Sequence, residues 1–490
     1  MAEKYAAALF HSNAPEKARE WFERALQSHR AAGVGARNAE AAGTLLLRLS
    51  RQYWLDAETL SALPLLDEAI RLARISRSEA FGARANLAMA HYLILLGRHR
   101  SAVPFFEAAG SVGESDPPEV RAVSLDQRAI LHAATGERER AYNNFEAAAE
   151  TSKQLPGGYW ITSVWDDFGI WALALGDMAT AQLCRERALF VARERHIGWR
   201  IPYLSLRYAD LLLELEEYER SRDLVLDALT YDCATPCIKI LMTSVGIRLA
   251  SALDDGGLLR RCVDERALDY AFESGEPARI GPLVSAMVRH HVARGEVKKA
   301  TGLLEHGLSA LLSADHAWDI LVDAASIGSS AAQRTARNLL KARAVLPCGD
   351  VAAAYLDVFD AILARQRDEM SKQQMLVKRA ARTFHRIGFV AQERFALSFA
   401  VSNRIAGRAE GTGARSFRTM LGDPSALTKR EAEVADLALR GFTNRAIARE
   451  LSISEHTVES HMTSIMNRLG IRSRHQLSNM MLDSGKAGLS

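Results

Sequence analysis

Small residues recur along this chain at a spacing that few architectures can produce. Ala57 is followed by Ala62 and Ala69, Gly97 by Ala102 and Ala109, Gly136 by Ala141 and Ala148, and Gly176 by Ala181 and Ala188. The same offsets of five and twelve residues join Glu216 to Ser221 and Ala228, and Gly295 to Ala300 and Gly307, while Asn13 with Ala18 and Ala25 opens the series. The first members, at 57, 97, 136, 176, 216 and 295, step by 40, 39, 40, 40 and a double 79. A weaker unit around Gly256 fills the gap, with Arg261 breaking the small-residue rule. Regular self-similarity at this period is the mark of a solenoid. Each unit reads as a helix, a turn and a second helix whose small residues let its partner approach, so that successive pairs stack into one core.

The sequence up to Arg404 is rich in Ala, Leu, Arg and Glu and carries no strand or hairpin pattern. The offsets resemble those of the tetratricopeptide repeat, although the unit is longer than that family's and HEAT-like pairs are the alternative. The expected fold class is therefore all-α: an N-terminal α-solenoid of about nine helix pairs over residues 1–403, with a period of ~40 residues, and a four-helix C-terminal domain. The pattern blurs between Ser313 and Asn403, where helices are still expected over Val351–Gln366 and Gln374–Gly388. A helical superhelix offers a concave surface to a peptide, small molecule or partner domain. Asp126 and Asp166 each lie ten residues before a turn, on equivalent faces of successive units, and are candidates for such a groove; solvated carboxylates are the plainer reading. Tyr159, Trp160, Trp165, Phe168 and Trp171, with Trp199 in the next unit, are expected to be core.

At the other end, Leu427–Leu477 carries the start and stop signals of short amphipathic helices. Thr428 and Glu431 form a capping box, and Gly441 stops the helix that they begin. Thr443 caps a second helix, Ser454 caps a third that runs to Leu469, and only Leu451–Ser454 separates the two. Two short helices joined by so tight a turn make a helix-turn-helix, whose second member can enter the DNA major groove. Val458, His461, Met462, Ile465 and Leu469 recur at helical spacing as the packing face. His456, Glu459, Ser460, Thr463 and Asn467 fall on the other side as base-contacting candidates. Thr443, Asn444, Thr457, Lys429, Arg430, Arg468, Arg472 and Arg474 are the candidates for phosphate.

The pattern Leu427-Thr428-x-Arg430-Glu431-x-Glu433-Val434, Gly441-x-x-Asn444-x-x-Ile447-Ala448-x-x-Leu451, Ser454-x-x-Thr457-Val458-x-x-His461 and Ile465-x-x-Arg468-Leu469-Gly470 resembles the LuxR-type (GerE- or FixJ-type) DNA-binding domain. The resemblance covers residues 424–484. It implies transcription regulation, DNA contact by the third helix and dimerisation through a fourth, from about Ser473 to Leu482. Glu459 stands where the family often has Lys; it could accept a hydrogen bond from cytosine N4 or serve as a solvated charge near the helix start. Residues 404–423, with Gly407, Gly411, Gly413 and four arginines, read as a flexible basic linker.

Composition narrows the function further. Lys plus Arg exceeds Asp plus Glu by only 62 − 59 = 3, so no chain-wide basic field points to nucleic acid, and phosphate attraction must come from placement. Five scattered cysteines fit reduced thiols, and the Cys233 and Cys237 pair lacks the usual metal or redox spacing. No phosphate-binding loop, zinc-protease motif or nucleophile elbow occurs, so no enzyme, cofactor or metal is expected. The absence of a signal segment and of a long apolar run points to a cytoplasmic, bacterial protein without a membrane partner. The expected partners are double-stranded DNA, a second copy of the chain on that DNA, RNA polymerase, and a protein or small-molecule ligand of the solenoid. The alternative is an interaction scaffold whose C-terminal domain contacts protein.

Overall fold

A computed structural model describes residues 15–31, 33, 35, 38–110, 116–155, 158–231, 235–311, 317–346, 348–406, 429–439, 444–451 and 453–469. The chain divides into two compact units, one formed by Met1–Val292 with Glu296–Ala396 and another containing Leu397–Ser490. The first holds α1 (Pro15–Ala31), α2 (Ala39–Leu55), α3 (Thr59–Ser76), α4 (Glu79–Leu95), α5 (His99–Ala108), α6 (Pro118–Ala134), α7 (Arg138–Ser152), α8 (Tyr159–Ala174), α9 (Met178–Glu194) and α10 (Arg200–Glu214). It continues through α11 (Tyr218–Ala228), α12 (Pro236–Leu253), α13 (Gly256–Cys262), α14 (Ala267–Ser274), α15 (Pro277–Ala293), α16 (Val297–Ala310), α17 (Trp318–Ile327), α18 (Ser330–Ala344), α19 (Asp350–Gln366) and α20 (Met370–Ile387). Next, α21 (Val390–Ala406) runs out of this unit.

Nine helical hairpins account for most of these elements: α2–α3, α4–α5, α6–α7, α8–α9, α10–α11, α12–α13, α15–α16, α17–α18 and α19–α20. One turn geometry joins almost all of them. Ala57, Gly97, Gly136, Gly176, Glu216 and Asp254 adopt positive φ, as do Gly295 and Asp368. In each case the next residue's N–H reaches back five positions, as in Arg98 to Leu93 (2.7 Å), Asp177 to Ala172 (2.8 Å), Glu217 to Leu212 (2.9 Å) and Glu369 to Ala364 (2.9 Å). This is the Schellman bond, which satisfies a carbonyl at the helix end and needs a left-handed residue just beyond it. The turn expected at Gly256 is thus centred on Asp254. The segment that looked irregular contains another full turn, at Asp368, whose unit places a buried Gln373 where a small residue stands elsewhere.

The small residues do the packing that their spacing implied. Ala62, Ala102, Ala141, Ala181, Ser221 and Ala300 are all fully buried in the second helices. In the α12–α13 unit the roles reverse. A methyl built on Gly246 in the first helix would meet Cys262 Cβ at 2.2 Å, so there the first helix supplies the gap, and Arg261 points elsewhere. Helix α12 is apolar enough by length and composition to cross a membrane, but 61% of it is buried in this unit. Its Arg248 is bonded to Asp210 (2.5 Å) and Glu214.

The superhelix also touches itself. The Thr59 hydroxyl donates to Glu276, and Arg279 Nη2 donates to the Trp54 carbonyl (2.9 Å). Arg343 Nη1 donates to the Ala134 carbonyl (2.6 Å), and Gln392 to Glu214 (3.1 Å). A methyl on Gly176 would lie 3.3 Å from both Val351 and Ile387. These partners stand 175 to 225 residues apart, so one coil of hairpins packs on the next along a seam.

The second unit contains α22 (Lys429–Leu439), α23 (Asn444–Glu450) and α24 (Glu455–Leu469). They share a small core of Val434, Ala435, Leu437, Ala438, Ile447, Ala448, Val458, Met462 and Ile465, with Leu451 and Ile453 packed against it.

Candidate functional site

First helices of successive hairpins face inward and surround a cavity of about 200 Å³. Arg51 and Trp54 come from α2, His91 and Tyr92 from α4, and Asp126 and Gln127 from α6. Tyr159, Trp160, Asp166 and Asp167 of α8 and Arg200, Tyr203 and Arg207 of α10 form the far wall, and Glu276 and Arg279 close it at the seam. Repeat symmetry explains why these residues meet: equivalent positions of a stacked array share one face.

Some lining charges are neutralised inside the protein. Asp166 is bonded to the buried Arg185 and lies 3.9 Å from Arg207 Nε, while Glu276 sits 3.1 Å from Arg279 Nε. Others are not. Arg200 is 2% exposed, and its Nε and Nη2 have no hydrogen-bond partner; the guanidinium lies 5.4 Å from the Tyr159 ring centre and 5.5 Å from that of Tyr203. Asp126 is 7% exposed and its Oδ1 is unpartnered. Burial, the charge of Asp167 and a hydrogen bond to it hold the Asp126 carboxyl well above the usual range. Burial and the charge of Asp166 push Asp167 up to about 7, against the opposing pull of Arg200, Arg185 and Arg207. His91 goes the other way: burial and Arg51 lower it to about 4, and its Nδ1 is unpartnered. Buried polar groups without partners are uncommon in folded proteins, and each calls for water or a ligand.

Helix α24 is built differently. Ser454 caps it by accepting the Thr457 N–H (3.0 Å). Val458 and Ile465 are fully buried and Met462 nearly so, while His456, Glu459, Ser460 and Thr463 are exposed. Ser460 and Thr463 return their hydroxyl protons to the His456 and Glu459 carbonyls (3.0 Å each), leaving their oxygen lone pairs outward. Arg430 is committed within the domain: it bridges Glu433 (2.7 Å) and the Leu451 carbonyl (2.6 Å), tying α22 to the turn before α24.

The model of bacterial regulatory proteins of the luxR family matches residues 425–481. These residues form a LuxR-family domain. Such a domain is a DNA-binding helix-turn-helix of transcription regulators, carried here behind the helical repeats. The oxygen regulatory protein NreC of Staphylococcus aureus strain JH9 is 45% identical over 51 residues, which is 10% of this chain and 24% of that one. The chain therefore spans about a quarter of the length of the curated relatives it matches. Among solved structures, a Rap protein complexed with competence and sporulation factor covers 74% of this chain and 99% of its own, at 13% identity and a TM-score of 0.44. The apo quorum sensor NprR from B. thuringiensis covers 72% and 99%, at 13% identity and a TM-score of 0.35.

In the LuxR-family domain, the polar candidates His456, Glu459, Ser460 and Thr463 share one exposed face. Thr457 is half-buried against the Ser454 hydroxyl, Asn444 is half-buried, and Arg430 is an internal tie instead of a free cation. His461, expected in the packing face, is half-buried. Thr443, Arg472, Arg474 and the segment from Ser473 to Leu482 lie outside the described residues, as do the side chains of Lys429, Asn467, Arg468 and Leu469. In the repeats, Asp126 and Asp166 both line the lumen, though Asp166 is paired with Arg185. Of the aromatic cluster, Trp165, Phe168, Trp171 and Trp199 are buried core, Trp171 also touching the cavity, whereas the half-buried Tyr159 and Trp160 face it. Arg200 escaped notice in the sequence because nothing local distinguishes it from the many surface arginines. Its signal was positional: it stands sixteen residues before the turn at Glu216, as Trp160 does before Gly176.

Proposed function

We propose that the protein is a sequence-specific transcription regulator in which the repeat superhelix senses a small ligand or a partner and governs how the LuxR-family domain is presented to DNA. The observation that carries this reading is the division of faces on α24: Val458, Met462 and Ile465 inward, His456, Glu459, Ser460 and Thr463 outward. A helix so divided offers hydrogen-bonding side chains to base edges while its apolar side stays on α22 and α23. Family membership of the domain supports the same role. In this proposal two copies bind a two-fold-related site through the segment Ser473 to Leu482, residues 404–423 link the domains, and the regulator meets RNA polymerase at the promoter. Phosphate contacts fall to Asn444, Thr457, Thr443, Lys429, Arg468, Arg472 and Arg474.

Selection of bound sequences from a random duplex pool with the full chain tests this directly. A defined motif, and an affinity whose logarithm falls linearly with log salt by about 0.9 per phosphate neutralised, is expected. Recovery of no enriched sequence, with salt-independent capture, overturns the proposal.

A further inference from the structure

The lumen of the superhelix, taken as the sensing site of the regulator proposed above, is specific enough in its chemistry to name a ligand class. At one pole the buried guanidinium of Arg200 presents Nε and Nη2 with nothing to donate to. At the other, Asp126 presents an acceptor oxygen with no donor, beside Asp167. Both poles line the same cavity, and the charge of Arg200 acts on Asp167 beside Asp126. The rings of Tyr159 and Tyr203 stand beside Arg200, and Trp160 shares the lining. The lining carries both signs of charge: five arginines (51, 84, 200, 207, 279) and five acidic side chains (119, 126, 166, 167, 276), of which Asp126 and Asp167 share a proton.

Each feature excludes a class. A polyanion would meet the acidic side chains at 119, 126, 166, 167 and 276 as well as the arginines. An apolar guest would leave both poles desolvated and unpaired, at a cost of about 1–3 kcal/mol for each group. A simple anion or a simple cation would satisfy one pole and strand the other. Size excludes an extended peptide: about 200 Å³ is only somewhat more than the roughly 150 Å³ of an apolar cavity that admits benzene.

We propose that the lumen binds a small zwitterion of the α-amino-acid kind, with its carboxylate on Arg200, its ammonium on Asp126 and Asp167, and its side chain against Tyr159, Trp160 and Tyr203. The ammonium takes the place of the proton that the two carboxylates otherwise share. Asp166 borders this pair and is bonded to Arg185, while Arg207 Nε, 3.9 Å from Asp166 and without a hydrogen-bond partner, offers the carboxylate a second donor beside Arg200.

The test is calorimetric titration of the full-length protein with the proteinogenic L-amino acids, one at a time, followed for any binder by its decarboxylated amine and its deaminated acid. At least one amino acid should bind at sub-millimolar concentration, and each half-molecule should bind at least about tenfold more weakly, because it leaves one buried pole unpaired. Arg200→Gln and Asp126→Asn should each weaken binding by at least about tenfold, with Arg200→Lys and Asp167→Asn as substitutes if a first variant fails to fold. Lack of heat with every amino acid at millimolar concentration overturns the proposal, as do half-molecules that bind as well as the whole or variants that bind unchanged. Duplex selection with the same preparation separates the two readings. A DNA motif without zwitterion binding removes the lumen ligand alone, and zwitterion binding without a DNA motif removes the regulator.

Discussion

Glu276→Ala should open the seam of the superhelix. Arg279 is 7% exposed and has two attachments: Nε lies 3.1 Å from Glu276 and Nη2 donates 2.9 Å to the Trp54 carbonyl, while Nη1 has no partner. Burial resists the charge on Glu276, while Arg279 and the Thr59 hydroxyl favour it. Truncating Glu276 leaves a buried guanidinium on a single carbonyl, a loss of about 3–5 kcal/mol, and removes the acceptor of Thr59 at about 1 kcal/mol more. The contact joins α2 and α3 to the α14–α15 joint, so the cost should appear as local opening there. Native-state hydrogen exchange reads it: amides around 54–60 and 274–280 should exchange roughly three to four orders of magnitude faster, with α18–α20 unchanged. Glu276→Leu combined with Arg279→Met should recover most of the protection, since an apolar pair replaces a buried ion pair at little cost. Wild-type exchange in Glu276→Ala, or a double variant no better than the single, would refute the reasoning.

Three further outcomes are expected. Ile465→Ala should cost the DNA-binding unit about 2–5 kcal/mol and abolish DNA binding, whereas Thr463→Ala and Ser460→Ala should change its stability by less than about 0.5 kcal/mol yet alter the selected DNA motif. Thermal melts and duplex selection distinguish the two groups. At the left-handed turns, Asp368→Gly should stabilise and Gly136→Ala destabilise by about 1 kcal/mol each, read by urea unfolding; the two shifts having the same sign would contradict the φ values of 58° and 83°. Asp167, raised to about 7 when folded, holds a proton that the unfolded chain releases near its ordinary value. Its contribution to stability is therefore present in acid and lost as pH climbs to about 7, and Asp167→Asn should flatten that part of the urea-midpoint profile between about pH 4 and about pH 7.

The repeats were legible because a small residue is the least ambiguous mark of close helix approach, and Ala62, Ala102, Ala141 and Ala181 hold one frame. Gly256 misled because glycine is the usual left-handed residue, while the fold uses Asp254. A better signal was present. The residue after the turn is acidic at Glu58, Glu137, Asp177, Glu217, Asp255, Glu296 and Glu369, where it meets the positive end of the second helix. That rule finds both Asp254 and Asp368, with Arg98 as its exception. The DNA-binding unit was readable because its caps and packing face are local. The lumen was half readable: equivalence of units put Asp126 and Asp166 on one face, but which carboxylate is neutralised depends on Arg185, nineteen residues away on another helix. The seam left no trace, since its partners follow no period.

An open repeat array can gain or lose a hairpin and remain itself, because each unit answers only to its neighbours. Here Thr59 must find Glu276 and Ala134 must find Arg343 after a set length of chain. Duplicating or deleting one unit between them would bring every such pair past its mate, so this domain is bound to its repeat number in a way that most solenoids are not. Insertions should collect in the loops between hairpins, and whole-unit changes only beyond the last clasp.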